Sequence, residues 1–189
     1  NVHSAAVYGC GTIGILILQW LTAMGVKKIY AVGTRKEQQE LAAGVTDCTF
    51  CNCRKNDPVD FIRQQTGGAG VDAVFECVGV KDSINSSVSL ARAGGQVVFV
   101  GNPAGDIVFD KQIYWKILRQ QLIIYGTWNS SFTKDEKDDW HTAVRAIQEG
   151  KIRPSAQITQ RFSFDSLHDG LAVMQDKAVF TNKVMIGII

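Results

Sequence analysis

Gly9, Cys10, Gly11, Thr12, Ile13 and Gly14 stand directly between an apolar run, Ser4 to Tyr8, and a stretch with helical periodicity. A G-x-G-x-x-G turn that joins a strand to a helix leaves few folds open. The first glycine permits the tight turn, the second lets a phosphate approach the backbone, and the third lets the helix lie close on the sheet. The new helix also offers unpaired N–H groups and the positive end of its dipole, which suits a pyrophosphate. Gly9, Gly11, Thr12, Ile13 and Gly14 are therefore expected to contact a dinucleotide. A glycine-rich turn can equally be structural, so the surrounding pattern has to decide.

That pattern is strand alternating with helix. Strands are predicted at Ser4–Tyr8, Lys28–Val32, Cys48–Cys53, Val71–Val78, Gln96–Val100 and Leu122–Tyr125. Between them helices are predicted at Thr12–Met24, Glu37–Ala43, Pro58–Gln65 after Asp57, and Lys81–Arg92, with an amphipathic stretch at Ile113–Arg119. In the first helix Ile13, Leu16, Ile17, Trp20 and Leu21 form the expected buried face, and Gly25 ends it. A further helix, Asp135–Glu149, follows Thr133 and Glu136 at capping-box spacing and stops at Gly150. Such alternation predicts an α/β fold, a Rossmann-type doubly wound sheet of six parallel strands covered on both faces.

Beyond Pro154 the pattern changes to a strand, Ile158–Phe164, a helix capped by Asp165, and a strand, Lys183–Ile189. This piece adds no strand–helix–strand unit to the sheet. The expected organisation is a dinucleotide-binding domain at 1–154 and, at 155–189, a tail of a catalytic domain whose N-terminal half is absent. A core strand that begins within the first residues supports the same expectation.

Composition narrows the partners. The 189 residues, 46% of them hydrophobic, suffice for one core, and a net charge of +2 from scattered groups gives no footprint for nucleic acid or an anionic membrane. No apolar run approaches the roughly 20 residues that span a bilayer, and Asn1 to Ser4 do not read as a signal peptide, so a cytoplasmic protein is expected. Five cysteines, an odd number, read as reduced thiols. Cys48, Cys51 and Cys53 supply three of the four ligands a tetrahedral zinc site needs, and two of them share one face of a strand, so no metal site is assigned. His3, His141 and His168 are far apart in sequence, Cys10 has no neighbouring base, and no catalytic residue is assigned.

The end of the second strand bears on coenzyme choice. A carboxylate about 20 residues past the glycine turn normally binds the adenosine ribose. Here the strand ends Ala31, Val32, Gly33, Thr34, Arg35. Glycine removes the negative side chain, Thr34 adds a hydroxyl, and Arg35 adds a planar fork of donors, a set that suits the 2′-phosphate of NADP. The alternative is NAD beside an exposed loop arginine. The missing acid also argues against an S-adenosylmethionine methyltransferase. At the other strand ends Val78 and Gly79, then Val100, Gly101 and Asn102, then Gly126, Thr127 and Trp128 are expected to admit the ribose and nicotinamide, or else are ordinary turn residues.

Taken in order, G-C-G-T-I-G, V-D-A-V-F-E-C-V-G at 71–79, A-G-G-Q-V-V-F-V-G at 93–101 and N-K-V-M-I at 182–186 resemble the coenzyme half of medium-chain zinc-type alcohol and polyol dehydrogenases, over essentially the whole chain. Y-W-K-I-L-R-Q-Q-L at 114–122, G-T-W-N-S-S-F at 126–132 and D-D-W-H at 138–141 look most like galactitol-1-phosphate 5-dehydrogenases and sorbitol-type enzymes. The resemblance implies an oxidoreductase that moves hydride between a secondary alcohol, a sugar alcohol or its phosphate, and NADP or NAD. It implies zinc held by residues outside this chain, a homo-oligomer formed through the sheet edge near Trp115 to Tyr125, and no activity for this chain alone. Many polyol dehydrogenases carry Asp where Gly33 stands, whereas G-[ST]-R resembles NADP-dependent members. The helix end at Leu41 to Val45 is two residues shorter than the family's. A second class, a dinucleotide-sensing module without catalysis, has no evident use for the tail beyond Ser155.

Overall fold

The computed structural model of the chain describes residues 2–187. Strands β1 (Ser4–Tyr8), β2 (Lys28–Gly33), β3 (Thr49–Asn52), β4 (Val71–Glu76), β5 (Ala91–Phe99) and β6 (Ile123–Gly126) alternate with helices α1 (Thr12–Ala23), α2 (Lys36–Ala43), α3 (Pro58–Gln65), α4 (Lys81–Leu90) and α5 (Lys111–Arg119). The strands form one sheet in the order β3-β2-β1-β4-β5-β6, and every pairing is parallel. The six-stranded, doubly wound sheet expected from the alternation is present, and its order reverses between β1 and β4.

Side chains that alternate along each strand build two cores. Ala5, Val7, Ile29, Ala31 and Ala73 face α1 and α2 through Ile15, Leu18, Leu21 and Ala42. Ala6, Tyr30, Val32, Cys51, Val74 and Val97 face the other way, toward Ile62 of α3 and Val88 and Leu90 of α4. Because both faces are covered, the central strands are near-continuous apolar runs rather than alternating ones.

Several boundaries and one helix face differ from expectation, each for a local reason. In α1 the buried residues are Gly14, Ile15, Leu18, Gln19 and Leu21, while Ile13 is exposed. The helix is apolar almost all round, so periodicity alone leaves its rotation open. Gly14, packed on the Gly9 carbonyl, and Gln19, which accepts the Arg153 N–H at 2.6 Å, fix it. Strand β4 stops at Glu76 rather than Val78, because the Glu76 carboxylate takes the Val78 and Gly79 N–H groups and turns the chain. Helix α4 ends at Leu90 and β5 starts at Ala91, five residues before the expected Gln96. There the Arg92 Nε reaches Asp72 at 2.5 Å and draws this segment onto β4, with a register irregularity between Val71 and Ala73. Strand β3 is trimmed to Thr49–Asn52, and Gly126 closes β6 instead of following it.

Helix α6 (Asp139–Gln148) begins four residues later than the capping-box spacing predicts. Glu136 has φ 58°, outside helical space, so it cannot serve that box. Asp138 is the cap instead, accepting the His141 N–H at 2.8 Å and the Thr133 N–H at 2.5 Å. In the tail, β7 (Ile158–Ser163), α7 (Leu167–Gln175) and β8 (Lys183–Gly187) form their own parallel two-stranded sheet. Ser166, not Asp165, precedes α7, and neither caps it with a side chain. Ile188 and Ile189 of the last predicted strand lie outside the described residues. Among the described residues β7 and β8 pair with each other and with no strand of the larger sheet.

Candidate functional site

The carboxyl ends of β1, β2 and β4 frame a cleft of 450 Å³. Its floor is Tyr8, Gly9, Cys10 and Gly11; one side is Val32, Gly33, Thr34, Gln38 and Cys53; the other is Cys77, Val78, Val80, Asp82 and Ser83. This is the crevice at the reversal of strand order, where open α/β sheets bind ligands.

The glycine turn meets its physical requirements. Gly9 has φ +104°, donates its N–H to the Val32 carbonyl at 2.9 Å, and a Cβ there would lie 2.6 Å from Val78 Cγ2. At Gly14 a Cβ would run into the Gly9 carbonyl, so only glycine lets α1 lie this close. Above Gly11 the space is open, with no atom within 4 Å of where its Cβ would be. Gly11 precedes α1, no side chain caps that helix end, and no acidic residue stands in its first turn. An uncapped helix start under open space is what an anionic group requires. The residues present therefore fit the pyrophosphate of a dinucleotide.

The β2 end is arranged differently from the sequence expectation. A Cβ on Gly33 would lie 2.8 Å from both Phe50 Cζ and Gln38 Oε1, so packing as well as charge keeps this position free of a side chain. Gln38, which sequence reasoning passed over, accepts from the N–H groups of Thr34 (2.8 Å) and Arg35 (3.2 Å) and donates to the Cys10 carbonyl (3.3 Å). It thus ties the β2–α2 turn to the glycine turn. Its place three residues after Arg35, at the third position of α2, is the signal that would have found it. Arg35 does not line the cleft; its guanidinium donates to the Lys177 carbonyl at 2.9 Å.

Of the other expected residues, Gly9, Gly11, Gly33, Thr34 and Val78 line the cleft together. Thr12, Ile13 and Gly14 form the helix start behind it, and the Thr12 hydroxyl donates to the Asn182 carbonyl at 2.8 Å. Gly79, Gly101 and Asn102 pack against one another at the ends of β4 and β5, with Val100 donating its N–H to the Glu76 carbonyl. Gly126, Thr127 and Trp128 lie at the sheet edge, Trp128 exposed. A larger groove, 630 Å³ between Trp20 of α1 and Trp140, Val144 and Ile147 of α6, is apolar and away from the strand ends.

Burial pushes the Cys77 thiol and the Tyr8 phenol up to about 12, and it raises Cys10 as well. These groups are neutral at physiological pH, and Cys10 donates its thiol proton toward the Val32 carbonyl. Cys48 and Cys51 are likewise raised, mainly by burial, to about 11. Among the described residues no group of three or more His, Cys, Asp or Glu side chains is arranged to hold a metal ion. His141 stacks on Phe132 and places Nδ1 2.9 Å from both Asp138 oxygens, which is helix-capping geometry.

Comparison with known proteins agrees with this geometry. Residues 12–149 match the zinc-binding dehydrogenase family. Galactitol 1-phosphate 5-dehydrogenase of Escherichia coli K12 is 28% identical over 163 residues, which cover 85% of this chain and 46% of that protein. (R,R)-Butanediol dehydrogenase of Bacillus subtilis is 36% identical over 96 residues, 51% of this chain and 28% of that protein. The crystal structure of the E. coli galactitol-1-phosphate dehydrogenase superposes with a TM-score of 0.83 at 26% identity, covering 97% of this chain and 53% of that one. A zinc-binding dehydrogenase from Sinorhizobium meliloti 1021, solved bound to NADP, gives 0.82 at 25% identity, covering 98% and 53%. The chain spans about half the length of curated relatives such as the galactitol 1-phosphate 5-dehydrogenase, 46% of which it covers. With the match running from the first turn of α1 to the end of α6, this protein belongs to the zinc-binding dehydrogenases, in their medium-chain alcohol and polyol group.

Proposed function

We propose that this chain is the coenzyme-binding portion of an NADP-dependent alcohol or polyol dehydrogenase, with residues 1–154 holding the dinucleotide and 155–189 belonging to the catalytic domain. The observation that carries the reading is the uncapped start of α1 beneath the open space at Gly11. When bound, the coenzyme supplies the hydride acceptor for a secondary alcohol, such as a sugar alcohol or its phosphate; zinc belongs to residues outside this chain.

The chain's own residues bind and orient. Backbone N–H groups at the start of α1 meet the pyrophosphate charge. Gly33 leaves the adenosine ribose without a competing carboxylate, and Thr34 and Arg35 meet a 2′-phosphate once Arg35 exchanges the Lys177 carbonyl for it, a charge-assisted bond replacing a weaker one. Val78, and beyond it Gly79, Val100, Gly101 and Asn102, wall the nicotinamide half. NAD is the second reading, favoured by the engagement of Arg35 with Lys177 and of the Thr34 and Arg35 N–H groups with Gln38.

Self-association through β6 is part of the proposal. That strand is the sheet edge, and Ile123, Ile124 and Tyr125 on it and Trp115 on α5 are exposed. Five free thiols suit the reducing cytoplasm, and no described helix is long and apolar enough to cross a membrane. The test is a fluorescence titration of the chain with NADPH, repeated on Gly11→Val, which fills the space over the turn. The reading expects saturable binding by the wild type and at least a ten-fold loss in a folded variant; a folded wild type that binds no dinucleotide would end it.

A further inference from the structure

Glu76, the last residue of β4, is fully buried. Its Oε1 accepts from the Val78 N–H at 2.9 Å, the Gly79 N–H at 3.0 Å and the Ser83 hydroxyl at 2.6 Å, while Oε2 lies 3.2 Å from the Gly79 nitrogen. Its backbone carbonyl accepts the Val100 and Gly101 N–H groups, both at 2.9 Å. A Cβ on Gly101 would fall 2.7 Å from Oε2, so the carboxylate sits directly beneath the β5 end. One residue therefore holds together the ends of β4 and β5 and the first turn of α4, and Val78 and Ser83 among its partners line the cleft.

The Val78 and Gly79 N–H groups can only donate to the Glu76 side chain, and the Ser83 hydroxyl, which also reaches the Val80 carbonyl at 2.9 Å, is placed to donate to it as well, a set of partners that suits a carboxylate. No Lys, Arg or His among the described residues forms an ion pair with it. Neutral donors solvate such a charge but do not cancel it, and its field reaches farther in a desolvated place than in water. The exposed Asp82 on the same side of the cleft has the same sign but is screened by solvent.

We propose that Glu76 is a positioning residue of the coenzyme cleft whose buried negative charge makes the cleft prefer the oxidised, positively charged nicotinamide over the reduced, neutral one. This rests on the coenzyme reading above, in which the adenosine half lies toward β2 and the nicotinamide half toward β4 and β5 across the reversal of strand order. Shape alone would be served by any acceptor that holds the Val78 and Gly79 N–H groups. The charge adds a difference between the two redox forms, because hydride acceptance removes the positive charge of the ring.

The test is calorimetric titration of the full chain with NADP⁺ and with NADPH, for wild type, Glu76→Gln and Ser83→Ala, with a thermal melt of each. Glu76→Gln keeps the shape and removes the charge. It should weaken NADP⁺ binding about ten-fold more than NADPH binding, the order expected for one desolvated charge on another. Adenosine 2′,5′-bisphosphate, which lacks the nicotinamide half, should bind it as it binds wild type. Ser83→Ala removes a donor and leaves the carboxylate less compensated, so the ratio should move about two- to three-fold the other way, toward NADP⁺. Equal weakening of both redox forms in Glu76→Gln, or in Ser83→Ala if the first variant does not fold, would overturn the charge role. A folded wild type that binds neither form would instead overturn the coenzyme reading beneath it.

Discussion

Restoring a carboxylate at the end of β2 should disturb packing before it changes coenzyme preference. In Gly33→Asp the new Cβ meets Phe50 Cζ and Gln38 Oε1, each 2.8 Å away, and Gly33 itself is the buried last residue of β2, paired with Asn52 of β3. Both neighbours are side-chain ends that can shift by a few tenths of an ångström, so the cost is that of moderate overpacking, about 2 kcal/mol. The added carboxylate also faces the Gln38 oxygen, an acceptor with no proton to give it. In a chain of this size, about 2 kcal/mol lowers the melting temperature by roughly 4 to 8 °C. Urea and thermal unfolding of Gly33→Asp, Phe50→Leu and the double variant measure this. Phe50→Leu opens the space, so the double variant should recover at least half of the Gly33→Asp loss, a coupling of about 1 kcal/mol. A Gly33→Asp chain as stable as wild type, or one whose loss simply adds to that of Phe50→Leu, would refute the claim that packing reserves this position for glycine.

Asp72 gives a pH prediction. Burial opposes its ionisation, but the Arg92 guanidinium, the His3 and Ser4 N–H groups and the Ser4 hydroxyl together hold its carboxyl well below the usual carboxylate range. A folded-state value that is lowered stabilises above the unfolded value and is lost as pH falls through the folded one. Asp72→Asn should therefore cost about 1 to 2 kcal/mol at neutral pH, with the gap from wild type closing below about pH 4 in urea melts. A gap that is constant down to the acid limit would contradict the assignment. Gln38→Glu should loosen the link to the Cys10 carbonyl and set a negative charge beside Thr34 and Arg35, weakening NADPH about ten-fold while leaving NADH within a factor of three in paired titrations. Ile124→Lys places a charge on the exposed β6 edge; if copies of this chain pair there, sedimentation velocity should show a dimer in wild type and a monomer in the variant.

Much of this was legible in the sequence because the physics was local. The Gly9 to Gly14 turn, β1 to its exact ends and α3 behind Asp57 and Pro58 all follow from residues within a few positions. What escaped was set mostly by distant partners. Nothing near Ala91 announces a strand, since Asp72 of β4 draws Arg92 there. The rotation of α1 depends on Gln19 meeting Arg153, 134 residues away. Thr133 and Glu136 satisfy a local cap spacing, yet Asp138 collects more donors and displaces it. At the site the glycines were readable by their spacing, and Gln38 carried a local signal in its distance from Arg35, whereas its bond to the Cys10 carbonyl and the turn held by Glu76 exist only once the chain is folded.

In the proposed function the β2 end reads the coenzyme's 2′-phosphate through Arg35. The most direct test is the pair of dissociation constants for NADPH and NADH, measured by fluorescence on wild type and Arg35→Ala. Wild type should bind NADPH more tightly than NADH, and the variant should lose about 1 to 3 kcal/mol for NADPH alone, the size of a charge-assisted phosphate contact. Equal binding of the two coenzymes, untouched by the substitution, would contradict it and leave NAD as the coenzyme of this cleft.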